Sequence, residues 1–560
     1  MPKEKKFTLA CVIIVLVLTY AFFQPLDLYL RNSTSFMVGI DRISIPFGLI
    51  SLALCALLYF PLSFLKDGKA VDIIILVLFG FTVSSYVQLL FLNYEMGAMT
   101  GAYYNYSELT STHMSNFGIF ILIMFEPLLI VFYLKSKKKK ADYTRVVSSV
   151  SAVLLLMQLA GVISVIPSYT PIIRTPLALS YSKSFEMSSD ENIVVFVVDR
   201  LDNKFTYEAF ERYPDSTEIF DGFTFYEDNT SVYSCTVPSI AYMMTGDKYN
   251  NEIPVYSYLR ECWTKDSFID ELHNSNFAAY MLLDRFTAFT DVSDLSGKAD
   301  NIKEIDNNAD LRQDLVTSIT FRISASKLMP YLLKDAMLNN ISEDFQNDYL
   351  NMTDTDAMDA IVGFNTDMRF YDNLIQNGLT LQDEKNVFSV IHLRGAHDMG
   401  TGYDNGFIRE EGFDNTDSAY ASFKIIEEYL NQMKNLGIYD DATVIVIADH
   451  GNSSLVQGST IRLYEPVTST LLIKPKGADG PMKYNDTAEL SHEYFGASIL
   501  EYAGIPHEEF GLSYQDVESE NIKTTRRLYL ESWVNVYNLK SNGYYEINGD
   551  ARDFSNWVHY

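Results

Sequence analysis

Cysteine and basic residues are both scarce in this chain of 560 residues. Only four cysteines occur, and two of them, Cys235 and Cys262, lie outside the long apolar runs, so a disulfide-dense secreted framework is excluded. Whether these two thiols pair is left open by the sequence. The 43 Lys and Arg are outnumbered by 72 Asp and Glu, and the net charge of −29 disfavours nucleic acid as a partner.

Hydrophobic residues, by contrast, make up 48% of the chain and are concentrated in its first third. Five runs are long enough to cross a bilayer, which predicts a transmembrane domain over residues 1–166. The first run differs from a cleaved signal peptide, because it lacks a small-residue cleavage site and four further runs follow it. The five runs are Phe7–Phe23, Ile45–Leu65, Ile73–Leu92, Phe117–Leu134 and Val146–Ile166.

The lysines and arginines between these runs orient the predicted spans. The loops at 24–44 and 93–116 carry few cations, whereas the other three stretches are basic and share one side if there are five spans. We therefore expect a multi-pass protein of the cell membrane, with a cytoplasmic N-terminus and everything after Pro167 outside. The basic stretches contain Lys3, Lys5 and Lys6, then Lys66 and Lys69, and then Lys135, Lys137–Lys140 and Arg145.

Beyond the membrane runs the pattern changes. Residues 167–186 are predicted to be a linker, because three prolines disfavour a continuous helix. Over 187–560, apolar strands alternate with amphipathic stretches, which predicts an extracytoplasmic α/β domain with a mainly parallel central sheet. Within it, the polar Asn/Asp-rich segment 296–360 is interpreted as an insertion or a substrate-facing subdomain.

Three short apolar segments of this second domain are rich in β-branched residues and are predicted to be central strands. Ligands bind outside the carboxyl ends of strands in open α/β sheets, so polar side chains directly after such segments are well placed to hold a metal. The segments and the polar residues that follow them are Asn192–Val198 before Asp199, Val387–Ile391 before His392, and Ala442–Ala448 before Asp449 and His450.

The segment Ser234–Gly246, SCTVPSIAYMMTG, places Thr236 two residues before a Pro-Ser pair and nine before a Thr-Gly pair. This spacing resembles the nucleophile turn of the sulfatase and alkaline-phosphatase superfamily. The register leaves Cys235 one residue too early for the modified cysteine of sulfatases. The resemblance is therefore to the branch with an unmodified threonine, the membrane-bound transferases similar to lipoteichoic acid synthases and lipid A phosphoethanolamine transferases. It implies an alkaline-phosphatase-like fold for the second domain.

The resemblance also implies a metal centre. Asp199, Asp449 and His450 would hold one divalent cation, with the Thr236 hydroxyl as a further ligand and the catalytic nucleophile, because a bound metal lowers the pKa of a hydroxyl. One imidazole among oxygen ligands favours Zn or Mn over Mg or Ca.

Three further histidines are candidates for contacts with the substrate. His397 resembles the second histidine of a family segment and is expected to bind the phosphoryl oxygens or to protonate the leaving alkoxide, since imidazole titrates near neutral pH. A loop histidine bonded to the backbone is the alternative. For His392 and His492, substrate contact and simple packing both stay open. Arg462 is interpreted as a solvated surface arginine.

Two departures from the family argue against a sulfatase. Arg200 follows Asp199 where sulfatases have a second Asp, and Ile240 follows the Pro-Ser pair where they have Arg. In addition, Asp199 stands where the resembling transferases have Glu, so the shorter side chain requires the strand end to approach the metal more closely. The identity of the transferred group therefore stays open.

The function that the resemblance implies is transfer of a phosphoglycerol or phosphoethanolamine headgroup from a membrane phospholipid to a cell-surface glycan or glycolipid, through a phospho-threonine at Thr236. A membrane-anchored sulfatase-like hydrolase or phosphodiesterase would share these residues and use water as the acceptor. The second alternative is a non-catalytic membrane protein that binds glycans or a partner. Such a protein would lack some of the metal-ligating residues. A transporter is disfavoured, because the five runs lack a clear repeat or paired broken helices.

Overall fold

The computed structural model divides the chain into two compact units, one made of Met1–Pro176 and Asn308–Asn351 and the other of Leu177–Asn307 and Met352–Tyr560. All structural statements concern the residues that the structure describes. These are residues 1–33, 39–93, 110–137, 142–166, 177–285, 287–304, 313–338, 360–361, 366–397, 402–404, 407–409, 414–452, 462–535 and 538–560.

Five helices of the first unit are long and apolar enough to cross a membrane, which confirms the five predicted spans. The first is continuous over Lys3–Arg31, because a π-helical turn at Thr19–Phe23 joins two α-helices. Gly80 allows the third and fourth spans to pack closely, since a Cβ at Gly80 would lie 1.9 Å from the carbonyl oxygen of Met124. The helices are α1 (Lys3–Leu18), α2 (Gln24–Arg31), α3 (Asp41–Ser63), α4 (Lys69–Phe91), α5 (Ser111–Ser136) and α6 (Tyr143–Val165).

One end of this helix bundle gathers the basic stretches around Asp72 of α4. The Asp72 carboxylate lies 2.7 Å from Lys5 Nζ, and it accepts hydrogen bonds from Lys135 Nζ at 2.8 Å and from the Tyr143 hydroxyl at 2.5 Å. These partners come from the start of α1, the end of α5 and the start of α6. Lys5 and Lys135, two of the cations that the sequence predicts on one side of the membrane, therefore meet at this end of the bundle.

The opposite end of the bundle carries a segment from much later in the chain, α12 (Gln313–Ser326) with α13 (Asp335–Leu338). The Asn93 side chain donates to the Lys327 carbonyl at 2.8 Å and accepts from buried Lys334 at 3.0 Å. The middle of the 296–360 segment therefore packs with the helices and belongs to the first unit. Two further hydrogen bonds join Gln313 Nε2 to the Arg42 carbonyl at 2.7 Å and the Tyr331 N–H to Asn116 Oδ1 at 3.0 Å.

The second unit is built on a seven-stranded sheet of order β15-β4-β14-β13-β3-β10-β6. Strands β6, β10, β3 and β13 are parallel to one another, and β14 is antiparallel to both β13 and β4, so the sheet is mainly parallel as predicted. All seven residues of β3 and of β13 are buried, so both faces of the sheet are covered at its centre. The strands of this sheet are β3 (Asn192–Val198), β4 (Thr224–Tyr226), β6 (Phe277–Leu282), β10 (Asn386–Leu393), β13 (Ala442–Ala448), β14 (Leu471–Lys474) and β15 (Lys483–Asn485).

Smaller sheets and helices complete the unit. The remaining strands are β1 (Leu177–Ser180), β2 (Glu186–Ser188), β5 (Asn229–Thr230), β7 (Ile302–Glu304), β8 (Ala360–Ile361), β9 (Thr380–Gln382), β11 (Gly402–Asp404), β12 (Phe407–Arg409), β16 (Leu490–Ser491), β17 (Arg526–Asn535), β18 (Asn538–Ile547) and β19 (Trp557–His559). The helices are α7 (Tyr181–Ser184), α8 (Asn203–Arg212), α9 (Thr236–Thr245), α10 (Val255–Glu261), α11 (Phe268–Asn274), α14 (Asp367–Asn377), α15 (Asn415–Leu436), α16 (Phe495–Tyr502) and α17 (Tyr514–Ser519).

The linker expected over 167–186 differs from the structure in its second half. Residues from Leu177 onward belong to the α/β unit, because β1 pairs with β7 and β8, and Tyr181 and Phe185 are buried in the core. The three prolines of the linker lie outside the described residues. Apart from these points, the predicted domain boundaries stay a prediction.

The C-terminal sheet of β17, β18 and β19 is fastened to the rest of the unit by a buried ion pair. Arg526 Nη1 lies 2.6 Å from Asp228 Oδ1, and both side chains are almost fully buried. The same carboxylate oxygen accepts the Ala551 N–H at 3.0 Å. Asp228 stands in the stretch that leads toward Thr236, so this pair couples the C-terminal sheet to that stretch.

Replacing Asp228 with Asn should destabilise the protein strongly, because it leaves the Arg526 charge buried without a counter-charge. Breaking such a pair costs about 3–5 kcal/mol. The matched control is Asp550→Asn, which removes one partner of the half-buried Arg552 at 2.9 Å and should cost about 1 kcal/mol or less. The thermal unfolding midpoint of the full chain in detergent measures both changes. Equal midpoints for the two variants would contradict the structural role of Asp228.

Candidate metal centre

The register of the central strands brings the predicted residues to one level of the sheet. Val198, the last residue of β3, pairs with Leu393 of β10 on one side and with Ala448 of β13 on the other. Asp199 and Asp449 therefore follow neighbouring strand ends directly. His392 lies inside β10, which extends one residue beyond it, and not after the strand as the sequence indicates.

Asp449 is fully buried, and its two carboxylate oxygens have different surroundings. Oδ1 accepts the backbone N–H groups of Arg200 at 2.8 Å and of His450 at 2.7 Å. Arg200 has a φ of 56°, a left-handed conformation that is uncommon outside glycine and is found at functional sites. Asp449 Oδ2 is buried without a hydrogen-bond partner among the described residues, so it is available to a cation.

Thr236 is the first residue of α9, and the preceding Cys235 provides no side-chain cap. The positive end of the helix dipole therefore lies beside the Thr236 hydroxyl, which is the environment that an anionic group prefers. Thr236 Oγ1 lies 3.5 Å from each carboxylate oxygen of Asp199 and 3.3 Å from His450 Nε2. The Ser239 hydroxyl donates to the Asp449 carbonyl, so the serine of the Pro-Ser pair fastens this helix to the end of β13.

His450 completes the group that the sequence predicts. Its Nδ1 lies 2.7 Å from the Gly451 carbonyl, which favours the tautomer with the proton on Nδ1 and leaves the Nε2 lone pair free. Nε2 lies 3.7 Å from Asp199 Oδ1 and 3.6 Å from Asp449 Oδ2. The structure thus brings Asp199, Thr236, Asp449 and His450 together around one point.

His392 joins this cluster from the third strand. Its Nε2 lies 3.9 Å from Asp199 Oδ2, and one ligand atom from each of Asp199, His392 and Asp449 lies within 4.8 Å of the others. His392 Nδ1 lies 3.3 Å from Asp284 Oδ2. Burial lowers the pKa of His392, but Asp284 and the other carboxylates outweigh it and raise the pKa to about 9. Sequence reasoning missed Asp284, although it stands two residues after the end of β6 and so carries the same strand-end signal.

The cluster fits a divalent cation on the chemistry of its donors. Burial and the neighbouring Asp449 raise the pKa of Asp199 to about 7, because two carboxylates at one buried place disfavour each other's charge. A cation would remove that conflict. Asp449 Oδ2 is a buried acceptor atom without a hydrogen-bond partner among the described residues, and His392 Nε2 is buried in the same cluster without one. The buried Asp-His-Asp cluster is therefore able to bind a metal ion, with oxygen and imidazole donors that suit Zn or Mn.

The other predicted residues lie in different surroundings. His397 is half-buried on the turn after β10. This turn contacts the end of β3, because the Ala396 N–H donates to the Asp199 carbonyl at 3.0 Å. His492 is buried, and neither of its ring nitrogens has a hydrogen-bond partner among the described residues. Burial lowers the pKa of His492 to about 3 despite the nearby Asp449, so the ring is neutral. Arg462 is exposed, as expected of a surface arginine.

The two cysteines outside the spans are both free thiols, Cys262 fully buried, so they form no disulfide. Burial and the nearby Glu531 raise the pKa of the Cys235 thiol well above its usual range.

A scan against protein-family models and a search of curated proteins both find no match for this chain. Among solved structures it is similar to a protein of the alkaline phosphatase superfamily from Vibrio parahaemolyticus, with 11% identity, 69% of this chain and 84% of that chain covered, and a TM-score of 0.37. It is similar to the C-terminal periplasmic domain of EcEptC from Escherichia coli in complex with Zn, with 12% identity, coverages of 69% and 96%, and a TM-score of 0.36. It is also similar to the 2-O GAG sulfatase BT1596, with 10% identity, coverages of 66% and 85%, and a TM-score of 0.37.

Substitution of the cluster residues should lower the affinity for Zn without unfolding the chain. Loss of a residue that only contacts a metal ligand lowers metal affinity roughly 10–100-fold. We expect Asp449→Asn, His450→Ala and His392→Ala each to lower the affinity for Zn by more than this. His273→Ala is the matched control, because His273 pairs with Asp300 at 3.0 Å near the surface. The zinc content after equilibrium dialysis, measured by plasma mass spectrometry, checks this. Normal zinc content in Asp449→Asn would place the metal elsewhere.

Proposed function

We propose that this protein is a membrane-bound, metal-dependent phosphotransferase that moves a phosphoglycerol or phosphoethanolamine headgroup from a membrane phospholipid to a cell-surface glycan or glycolipid. The observation that carries the proposal is the position of the Thr236 hydroxyl. It stands at the start of a helix, 3.3 Å from His450 Nε2 and 3.5 Å from the Asp199 carboxylate. A hydroxyl at a helix N-terminus, beside a cluster of metal-binding donors, is the arrangement that attack on a phosphoryl group requires.

Asp199, Asp449 and His450 would hold the cation together with Thr236. When bound, the cation would lower the pKa of the Thr236 hydroxyl and neutralise phosphoryl charge. The Thr236 hydroxyl would lose its proton to solvent, and its oxygen would attack phosphorus as the bond from phosphorus to the diacylglycerol oxygen breaks. The N–H groups at the start of α9 would stabilise the phosphoryl oxygens. His397 would donate a proton to the leaving diacylglycerol alkoxide, and an acceptor hydroxyl would then release the group from Thr236.

The membrane spans support a lipid donor. A catalytic unit tied to five spans stays at the membrane, where phospholipid headgroups are present at high effective concentration. The negative charge of the chain repels anionic headgroups at long range, so attraction of the phosphate has to come from the local positive charge of the metal and of the helix start.

Thr236→Ala should abolish headgroup transfer, whereas Cys235→Ser should keep most of it. Loss of a nucleophile costs at least about a thousandfold in rate. Purified protein is incubated with labelled phosphatidylglycerol or phosphatidylethanolamine, and diacylglycerol release is followed with and without added Zn or Mn. Mass spectrometry of protein trapped with donor alone should find Thr236 heavier by one phospho-alcohol group. An adduct or an aldehyde on Cys235 would replace the transferase proposal with a sulfatase.

The proposed topology has its own test. The lysines Lys5 and Lys135 lie at one end of the helix bundle, and the rule that basic loops stay in the cytoplasm supports a cytoplasmic basic end. Single cysteines are introduced at two exposed positions, Tyr484→Cys in the α/β unit and Lys66→Cys at the basic end, and their labelling is compared in intact cells. A membrane-impermeant maleimide should label the first and leave the second unlabelled. Labelling of the second alone would reverse the orientation and exclude an extracytoplasmic acceptor.

A further inference from the structure

Strand β17 of the C-terminal sheet runs directly beside the loop that leads into Thr236. Tyr233 and Tyr529 form a parallel bridge, and the Ser234 N–H donates to the Tyr529 carbonyl at 3.0 Å. The Glu531 N–H then donates to the Ser234 hydroxyl at 3.0 Å. Glu531 is therefore held against a residue that lies two positions before Thr236, although the two are almost 300 residues apart in sequence.

The Glu531 side chain has an oxygen that the protein leaves unsatisfied. The residue is only 8% exposed, and its Oε1 accepts a hydrogen bond from Asn251 Nδ2 at 3.0 Å. Glu531 Oε2 and Asn251 Oδ1 are both buried without a hydrogen-bond partner among the described residues. Buried polar atoms without partners are costly, and two acceptor oxygens at one place fit a ligand that brings hydrogen-bond donors.

Trp533 supplies an apolar surface on the same side of β17. It is 48% exposed, and it lies two residues after Glu531 with no register shift between them, so both side chains leave the same face of the strand. An exposed aromatic ring beside hydrogen-bond acceptors suits a sugar, because the C–H face of a sugar ring packs against an aromatic ring while its hydroxyl groups donate hydrogen bonds.

We propose that Glu531, Asn251 and Trp533 form the subsite for the acceptor, which is a sugar unit with free hydroxyl groups. This inference rests on the proposed function and names the substrate class of its second step. The sugar ring packs on the Trp533 indole, and two of its hydroxyl groups donate to Glu531 Oε2 and to Asn251 Oδ1. The glycerol of a donor headgroup also carries hydroxyl groups, but it lacks a ring to cover the indole.

Binding of methyl glycosides to the full chain in detergent tests the subsite without any need for turnover. Saturation-transfer NMR should detect the ring protons of a bound methyl glycoside in the unmodified protein. Glu531→Gln and Trp533→Ala should each weaken binding about tenfold, because each removes one well-placed interaction. Tyr484→Ala, which truncates an equally exposed aromatic residue on β15, should bind normally. Trp533 is exposed, so its substitution leaves the fold intact and keeps the test valid if Glu531→Gln is unstable.

The outcomes separate this inference from the proposed function. Loss of glycoside binding in both variants, with normal binding in Tyr484→Ala, supports the subsite. If the protein binds glycosides through Trp533 but releases no diacylglycerol, the sugar subsite is supported and the proposed transferase function is wrong. Absence of glycoside binding, or binding equal in Trp533→Ala, would overturn the subsite. Two results together would also overturn the subsite: glycerol binds with the same affinity as the glycosides, and Glu531→Gln raises the KM for the lipid donor. The site would then hold the donor headgroup.

Discussion

The two carboxylates of Asp199 and Asp449, buried on neighbouring strand ends, are the constraint on which the rest of the site depends. Because β3 and β13 pair in parallel and end at the same level, the carboxylates of Asp199 and Asp449, which follow them, lie close together. Like charges in a buried place raise each other's pKa unless a cation or hydrogen bonds compensate. Two backbone N–H groups satisfy one oxygen of Asp449, one of them aimed by the left-handed Arg200. The remaining oxygens are available to a cation, so the register of this sheet creates a buried cluster that could hold a metal ion.

Once that centre is fixed, the start of α9 is the element that has to be placed accurately. Ser239 fastens the helix to the carbonyl of Asp449, and Ser234 fastens the preceding loop to β17. The buried pair of Arg526 and Asp228 in turn fixes β17. The C-terminal sheet is therefore part of the support of Thr236, and this support explains why a sheet at the far end of the chain contributes side chains next to the candidate nucleophile.

Local patterns in the sequence predicted the five spans, the central strands and the residues at their ends, because these features depend on stretches of fewer than about 20 residues. Asp284 carried the same strand-end signal but stands two residues after its strand, and it was missed. Glu531 and the pair of Arg526 and Asp228 had no local signal, since their roles arise from contacts across most of the chain. The three prolines predict a linker over 167–186, whereas the core buries the apolar residues Leu179 and Tyr181 that follow them.

The packing of Gln313–Leu338 was also beyond local patterns, and it changes how the membrane unit is understood. The segment stands in the chain between β7 and β8, which are paired to β1 in the α/β unit, yet its own contacts are with the helices. Its partners Arg42, Asn93 and Asn116 stand at the ends of spans on the side away from Asp72 and its cations. The position of this segment at the end of the bundle opposite to the basic residues therefore depends on hydrogen bonds between residues more than 200 positions apart, which no local pattern in the sequence records.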